Sequence, residues 1–308
     1  MMDAVHAPAY TLRQLSFLVG AADSGTVAGA AAALHVTPSA VSEGLTELER
    51  ALGTQLTVRR RARGVTLTSA GADVVARARV LLADARELET SLTAAPGELA
   101  GPVTIGCYPT LAPTILPPLL QGFGRAHPRV ELTIVEGTHD RLEGPLATGR
   151  IDVAFVYDTL IPGEPRRAQL YALPAHVVLA VDHPLAVQES VRLVDLVDDD
   201  LILLDAPPSS EHTLSLFSAV GVVPRVRHRV QSAEAVRSLV ARGLGYGILV
   251  QRPAGPTGAE GYPLVMREIT PAVAPVGVDV VWPQAPAPTE RARALIDFAR
   301  GLDWPSPR

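Results

Sequence analysis

A run of arginines is the part of this sequence whose chemistry is most concentrated. The stretch LTVRRRARGVTLT contains no acidic residue, and it carries Arg59, Arg60, Arg61 and Arg63. Guanidinium groups at this density can bind the phosphates or the minor groove of DNA. Taken alone, such a run is equally consistent with a solvated loop, so the residues around it decide between the two interpretations.

The residues before this run predict two helices joined by a very short turn. An alanine-rich helix follows Thr26, and the next helix begins at Pro38, whose missing N–H costs nothing at the first helical position. Gly53 ends that second helix. Short side chains at its start can contact base edges, because they let a helix lie deep in the major groove. The candidate residues are Thr37, Pro38, Ser39 and Ser42.

Short apolar segments on both sides of the arginines predict a wing. Residues 56–58 and 65–67 have the pattern of two strands around Gly64. Two helices, a tight turn and a wing in this order indicate a winged helix-turn-helix. The arginine run is therefore predicted to contact DNA.

Residues 10–70 resemble the winged helix-turn-helix domain of LysR-type transcriptional regulators, through the segments AAALHVTPSAVS, LERALG and GVTLTSAG. The resemblance implies that the helix from residue 37 lies in the major groove. This sequence departs from the family at Glu43, Gly44 and Thr46, where basic or amide side chains are usual. Residues 37–50 carry one arginine and three acids, a net charge of −2. We therefore expect the wing arginines to supply most of the phosphate binding.

A heptad-like pattern after Gly71 predicts a long helix that pairs two chains. Apolar residues recur at spacings of three and four, which is the period of a coiled coil. The alternative is a helix packed on its own domain, although this short segment offers no further globular partner. The resemblance to the LysR family also implies a dimer helix, and often a tetramer. The candidate dimerisation residues are Val74, Ala78, Leu81, Ala85, Leu88 and Leu92.

Beyond residue 101, strand-like and helical segments alternate, which predicts an α/β fold with mostly parallel sheets. Two segments rich in proline and glycine, residues 161–174 and 251–263, are predicted to cross between two lobes. The segments FGRAHPRVELTIVEG, LATGRIDVAFV and LVARGLGYGIL are typical of the LysR effector domain, which has two lobes like a type 2 periplasmic binding protein. The predicted fold is an all-α winged helix-turn-helix, a long linker helix and a two-lobed α/β domain.

The predicted domain borders follow from these segments. The DNA-binding domain spans 8–68, the linker helix 69–93 and a hinge 94–101. The effector-binding domain spans 102–308, with lobe I formed by 102–165 and 266–308 and lobe II by 166–265.

Polar side chains just after the predicted strands are the candidates for binding a small molecule. In α/β sheets, ligands lie beyond the carboxyl ends of strands and near helix N-termini, which favour anions. For the serines a plain helix cap is an equal alternative, because capping uses the same position. Thr138 matches a position that often faces the effector in the LysR family, and Asp205 is either structural or selects an amine. The candidates are Tyr108, Pro109, Thr110, Thr138, Asp205, Ser209, Ser210 and Ser232.

Composition restricts the class of protein. The 308 residues, of which 47% are hydrophobic, indicate about two domains and argue against disorder. The net charge of −5 excludes a uniformly basic chain, and residues 1–95 are neutral with nine arginines and nine acids. No secretory signal and no long apolar run is present, so we expect a cytoplasmic location.

The nucleophilic and titratable residues form no catalytic or metal-binding pattern. The eight histidines lack ligand spacing, and no nucleophile elbow or phosphate loop is found. We therefore expect no enzymatic activity, no metal and no cofactor. Cys107 is the only cysteine, which fits a reducing cytosol and a structural thiol. The peroxide-sensing members of the LysR family rely on a pair of cysteines.

These features predict a LysR-type regulator whose action on promoter DNA responds to a small molecule between two lobes. The expected partners are an inverted repeat in promoter DNA, further copies of the chain as a dimer or tetramer, RNA polymerase and an effector such as a carboxylate or aromatic acid. The alternative is a cytoplasmic solute-binding or enzymatic clamshell with an accessory DNA-binding module. Specific binding to the DNA upstream of its gene discriminates between them.

Overall fold

The computed structural model describes residues 8–60, 64–91, 98–160, 165–253, 255–285 and 287–304. The N-terminal part is a winged helix-turn-helix, called the reader domain below, and a long helix leads from it to two α/β lobes. These first elements are α1 (Leu12–Ser24), α2 (Val27–Ala33), α3 (Pro38–Leu52), β1 (Thr57–Arg60), β2 (Gly64–Leu67) and α4 (Ser69–Ser91).

Capping residues fix the starts of α2 and α3 as the sequence predicts. Thr26 Oγ1 accepts a hydrogen bond from the N–H of Gly29 at 2.9 Å, and Thr37 Oγ1 accepts one from the N–H of Ala40 at 3.2 Å. Between the helices, His35 has a φ of 54°, in the left-handed region that histidine tolerates better than most residues. The turn can therefore stay short, and it sets α3 against α2.

The wing is an antiparallel hairpin tied to the rest of the reader domain. Arg59 pairs with Val65, and Arg60 pairs with Gly64. The N–H of Val65 donates to the carbonyl oxygen of Gly25 at 2.7 Å, so β2 is joined to the end of α1. The position of the wing therefore depends on the same core that holds α3.

The linker helix α4 packs its first turns on the reader domain of its own chain. Ala78 is 1% exposed within the reader core, and Val74 packs against that core. Contrary to the prediction, these two residues are used within the chain, because α4 closes the open side of a small helical domain. Leu81 and Leu88 are 44% and 69% exposed, Ala85 is partly exposed, and Leu92 lies outside the described residues.

The remaining elements form two lobes in which helices cover sheets. Their bounds are β3 (Ala100–Cys107), α5 (Ala112–Ala126), β4 (Arg129–Glu136), α6 (His139–Ala147), β5 (Val153–Tyr157), β6 (Arg166–Leu173), β7 (His176–Ala180), β8 (Ser190–Val191), β9 (Asp200–Leu204), α7 (Ser209–Ala219), β10 (Arg225–Val230), α8 (Ala233–Ala241), β11 (Gly247–Leu249), β12 (Leu264–Ile269), β13 (Val276–Trp282) and α9 (Glu290–Gly301).

Lobe I is a five-stranded sheet with helices on both faces. Its strand order is β4-β3-β5-β13-β6, in which β3 is parallel to both neighbours and β13 is antiparallel to both. On one face, α5 and α9 contribute Phe123 and Leu295 to the core. On the other face, α6 contributes Leu142 and Leu146. The carboxyl ends of β3 and β5 therefore lie side by side at one edge.

Lobe II repeats this arrangement with different connections. Strands β11-β7-β12-β8 form one set and β10-β9 another, and the N–H of Ile202 donates to the carbonyl of Tyr246 at 2.8 Å to join the sets. Phe217 of α7 packs on one face, and Val236 and Val240 of α8 pack on the other. The starts of α7 and α8 are thereby directed towards lobe I.

Strand pairing corrects the predicted lobe borders. β6 was predicted in lobe II but pairs with β13 in lobe I, and β12 pairs with β7 in lobe II. The chain crosses from lobe I to lobe II at residues 174–175 and returns through residues 270–275. Segments rich in proline and glycine did not mark these crossings reliably, because they also form loops within one lobe. The last residues of the predicted hinge, Ala100 and Gly101, already pair with β4. The sheets are mixed rather than mostly parallel.

Among the described residues, no single helix is both long enough and apolar enough to cross a membrane. Helices α1 and α2 meet that test only when combined, and they are bent by 116° at their junction.

Candidate functional site: DNA-reading surface and effector cleft

The start of α3 and the wing form a polar surface on the reader domain. Ser39 is exposed and Ser42 is partly exposed, whereas Val41 and Leu45 on the opposite face are buried. The exposed Thr37 and Pro38 begin the same helix. The helix start predicted to contact bases is thus solvent-facing. Of the predicted wing residues, Arg59 and Arg60 belong to β1, and Arg61 and Arg63 lie outside the described residues.

Two acidic residues of α3 have partners inside the reader domain. Glu47 accepts a hydrogen bond from Gln14 of α1 at 2.8 Å. Glu49 Oε1 accepts from the N–H groups of Leu56 and Thr57, both at 2.9 Å, and from the Thr57 hydroxyl at 3.0 Å. Glu49 therefore fixes the base of the wing relative to α3, a role that the sequence did not reveal.

A cleft of about 580 Å³ lies between the two lobes. Its lobe I wall follows β3 and β5, its lobe II wall is formed by the starts of α7 and α8, and the residues after β11 complete it. This location matches the expectation that polar groups beyond strand ends converge. The predicted candidates that line the cleft are Pro109, Thr110, Ser209 and Ser232.

Tyr108 bridges the two lobes behind this cleft. The residue is buried, and its hydroxyl donates to the carbonyl oxygens of Ala206, at 3.2 Å, and Pro207. Burial raises the pKa of Tyr108 to about 12, so the hydroxyl keeps its proton at neutral pH. Tyr108 is therefore a link between the lobes rather than a lining residue.

Hydroxyl and amide groups form a network on the lobe I side of the cleft. The hydroxyls of Thr110 and Tyr157 are 2.8 Å apart. Gln251 Oε1 accepts from the hydroxyls of Thr114 at 3.4 Å and Tyr171 at 3.3 Å. Burial raises the pKa values of Tyr157 and Tyr171, which keeps both side chains neutral. This wall therefore offers neutral polar groups to a ligand.

Besides Tyr108, three of the predicted effector residues do not line the cleft. Thr138 donates to Asp140 at 2.6 Å, which lowers the pKa of that exposed carboxyl. Asp205 forms an ion pair with Arg229 of β10 at 3.2 Å. Ser210 is buried and donates to Glu211 at 2.9 Å. Their polar groups bind neighbouring protein groups, which is a structural role rather than contact with a ligand.

Sequence reasoning missed several residues that line the cleft, including Tyr157, His212, Arg237 and Gln251. Tyr157 ends β5 and could have been found by the rule applied to the other strands. Arg237 had a different signal, since it lies between Val236 and Val240 on the buried face of α8. Gln251 follows β11, a short strand that the sequence did not reveal.

A further titratable group in the cleft lining has a shifted pKa. Burial lowers the pKa of His212 and so favours its neutral form, although Asp158 acts in the opposite direction. Across the described ranges, no three histidine, cysteine, aspartate or glutamate side chains gather as metal ligands do.

A second polar cluster joins the reader domain to lobe I, and we call it the junction. Asp23 at the end of α1 pairs with Arg79 of α4 at 2.5 Å and with Arg150 of lobe I at 3.1 Å. Beside it, the partly buried Asp152 accepts from the N–H of Thr104 at 2.7 Å, and burial raises the pKa of Asp152. Three parts of the chain therefore meet at one carboxylate.

A solvent-facing reader helix joined by a long helix to two lobes around a polar cleft provides the two sites of a DNA-binding protein that responds to a ligand. Residues 12–72 match the model for the bacterial regulatory helix-turn-helix protein, lysR family, and residues 96–303 match the model for the LysR substrate binding domain. The chain belongs to the LysR family of transcriptional regulators, whose effector-binding domain modulates their activity.

Similar proteins cover between 65% and 94% of the chain. HinK, a LysR family transcriptional regulator from Pseudomonas aeruginosa, is 34% identical with a TM-score of 0.63, over 94% of this chain and 98% of that chain. The C-terminal domain of a probable LysR family regulator from Rhodococcus is 41% identical with a TM-score of 0.64, over 65% of this chain and 99% of that chain. A hydrogen peroxide-inducible genes activator of Dickeya chrysanthemi is 28% identical over 239 residues, 77% of this chain and 78% of that protein.

Proposed function

We propose that this regulator is a cytoplasmic oligomer that binds an inverted repeat in promoter DNA and changes its contact with RNA polymerase when an effector binds. It acts by binding rather than by catalysis. The observation that carries the proposal is that one chain contains both an exposed helix start on a reader domain and a polar cleft between two lobes.

On DNA, α3 and the wing divide the contacts. The hydroxyls of Ser39 and Ser42 and the exposed start of the helix contact base edges or the adjacent backbone, together with Thr37 and Pro38. The arginines of the wing neutralise phosphates, because α3 itself carries a net negative charge. These arginines are Arg59, Arg60, Arg61 and Arg63.

The chains pair through the second half of α4. Leu81 and Leu88 are exposed and seven residues apart, so they lie on one face of the helix at the coiled-coil repeat. Val74 and Ala78 are left out of this seam because they pack in the reader core. Two reader domains held together bind the two halves of a repeat more tightly than either does alone.

In the cleft, a small effector such as a carboxylate or an aromatic acid shifts the lobes between two degrees of closure. A ligand can shift this equilibrium only if it binds one state better. Residues from both lobes line the cleft, among them Thr110 of lobe I and Ser209 and Ser232 of lobe II. The Tyr108 bridge joins the same two lobes, so closure and ligand binding are linked.

A mobility-shift assay with the DNA upstream of the gene tests this function. We expect a complex that survives excess non-specific DNA and is lost when one half of an inverted repeat is scrambled. Addition of metabolites that raise the melting temperature of the protein is expected to change the mobility or affinity of the complex. If no specific complex forms with or without such ligands, the proposal is wrong.

Cys107 provides a prediction on redox response. Its side chain is fully buried, and burial, with a smaller effect of Glu136, raises the pKa of the thiol far above its usual value. Because the thiolate is the reactive form, we expect hydrogen peroxide to leave the DNA complex unchanged. The Cys107→Ala variant should bind DNA like the wild type. A peroxide response that this variant abolishes would contradict the prediction.

A further inference from the structure

The lobe II wall of the cleft contains a buried arginine that the sequence analysis did not single out. Arg237 lies on α8, and its side chain is only 4% exposed although it lines the cleft. A guanidinium group stays charged under all physiological conditions, and a charge is seldom buried without several partners. The position of its hydrogen bonds shows what it can still bind.

Three of the five N–H groups of Arg237 already donate hydrogen bonds within the protein. Its Nε donates to Glu234 at 3.1 Å, and its Nη2 donates to the carbonyl oxygens of Gly255 at 2.7 Å and Thr257 at 2.5 Å. Its Nη1 is buried and has no hydrogen-bond partner. An Nη atom carries two N–H groups, so the guanidinium keeps two unsatisfied donors in a residue that lines the cleft.

Other lining residues also have a buried side-chain nitrogen without a hydrogen-bond partner. Arg252 Nε and Gln251 Nε2 are buried without a partner, while the other two nitrogens of Arg252 bind Glu268 at 2.6 and 3.0 Å. Within the described part of the chain, no lining residue has a buried side-chain oxygen without a partner. The cleft therefore calls for a ligand that supplies acceptor oxygens.

The rest of the lining sets the shape and polarity of that ligand. Apolar side chains from both lobes line the cleft, including Pro113, Leu204 and Ile248. Ser232 caps α8 within the lining, so the positive end of this helix dipole is close to the same wall. A cleft of about 580 Å³ is within the range that small organic ligands occupy.

We propose that the effector is a small monocarboxylate with an apolar body, and that its carboxylate binds Nη1 of Arg237. This inference rests on the proposed function, since it specifies the ligand of the same cleft. Glu234 competes with the ligand for the guanidinium, because its half-exposed carboxylate pairs with Nε. Arg237 is thus the group that selects an acid over its neutral amide.

Titration calorimetry on the full chain with two acid–amide pairs tests this proposal. The probes are benzoate with benzamide and hexanoate with hexanamide. We expect wild-type protein to prefer the acid of at least one pair. Arg237→Gln should weaken binding of that acid about 10- to 100-fold, the value of a hydrogen bond to a charged group, and leave the amide nearly unchanged.

Two further variants separate recognition from folding. Glu234→Gln removes the competing charge at a half-exposed position and is expected to strengthen acid binding without affecting the amide. Arg242→Gln is the matched control, because Arg242 ends α8, pairs with Glu260 at 2.6 Å and does not line the cleft.

The outcomes distinguish this inference from the function on which it rests. Amides that bind as tightly as their acids, acids that fail to bind, or an Arg237→Gln variant with wild-type acid affinity would each overturn the carboxylate assignment. A specific DNA complex that persists in those cases leaves the regulatory function intact. Loss of any specific DNA complex overturns the function itself.

Discussion

Replacement of Gly71 by alanine is expected to destabilise the reader domain strongly and thereby to weaken specific DNA binding. Gly71 lies in the first turn of α4, where the helix crosses the base of the wing. A Cβ atom added there would be 2.0 Å from the carbonyl oxygen of Leu56 and 2.9 Å from its carbonyl carbon. Both atoms belong to the backbone, so no side-chain rotation can relieve the clash.

The backbone around Gly71 has little freedom to move. Leu56 is fully buried, its carbonyl accepts from the N–H of Thr68 at 3.0 Å, and its N–H is bound by Glu49. Overpacking that forces a backbone shift costs about 1–3 kcal/mol, and occasionally more. A small domain has only about 5–15 kcal/mol of stability, so a large part of it would be lost.

Thermal unfolding followed by circular dichroism, together with DNA titration, measures this effect. Gly124→Ala is the matched control, because Gly124 also lies within a helix, α5, and an added Cβ there meets nothing within 4 Å. Alanine is the better helix former by about 0.5–1 kcal/mol, so the control should be slightly stabilised. A Gly71→Ala protein that melts and binds DNA like the wild type would show that the crossing is not as close as described.

Neutralisation of three wing arginines is expected to have the second largest effect. In the triple variant Arg59→Gln, Arg60→Gln and Arg61→Gln, DNA affinity should fall about a hundred- to a thousandfold near physiological salt. The slope of log K against log salt concentration is negative, and each lost phosphate contact makes it less steep by about 0.9, so the slope should become less steep by about 3 for each chain bound. Circular dichroism should show an unchanged fold, since β1 is held by Glu49 and by its pairing with β2.

Variants on α3 provide the comparison for the wing. Ser39→Ala removes a hydroxyl from the exposed start of the helix and should relax sequence preference with little change in the salt slope. The helix carries three acids against one arginine, and Glu47 and Glu49 are engaged within the domain. Equal salt slopes for the wing and helix variants would be inconsistent with this division of roles.

The reader domain was predictable because its signals are local. Thr26 and Thr37 cap the helices that follow them, and a proline and a glycine mark the ends of α3. The period of α4 was also visible in the sequence, but a period does not say which surface it meets. Val74 and Ala78 therefore appeared to belong to a dimer seam, whereas they complete the core of their own domain.

The lobes and the cleft were only partly predictable because they depend on long-range pairing. The strand β6 joins lobe I through β13, more than a hundred residues further along the chain. A serine after a strand has the same pattern whether it caps a helix or faces a ligand, so Ser232 and Ser210 could not be told apart. The role of Arg237 depends on partners in a distant loop.

The weakness of the junction at Asp23 has a consequence for signalling. Its partners Arg79 and Arg150 come from the linker helix and lobe I, and Asp23 and Arg150 are well exposed. Exposed ion pairs contribute only about 0–1 kcal/mol each, so these contacts orient the reader domain without locking it. Allosteric coupling needs about 1–3 kcal/mol, which an effector's preference for one closure can supply. We therefore expect the junction to allow several orientations of the DNA-reading helices that are close in energy, so that a small ligand can shift the balance between them.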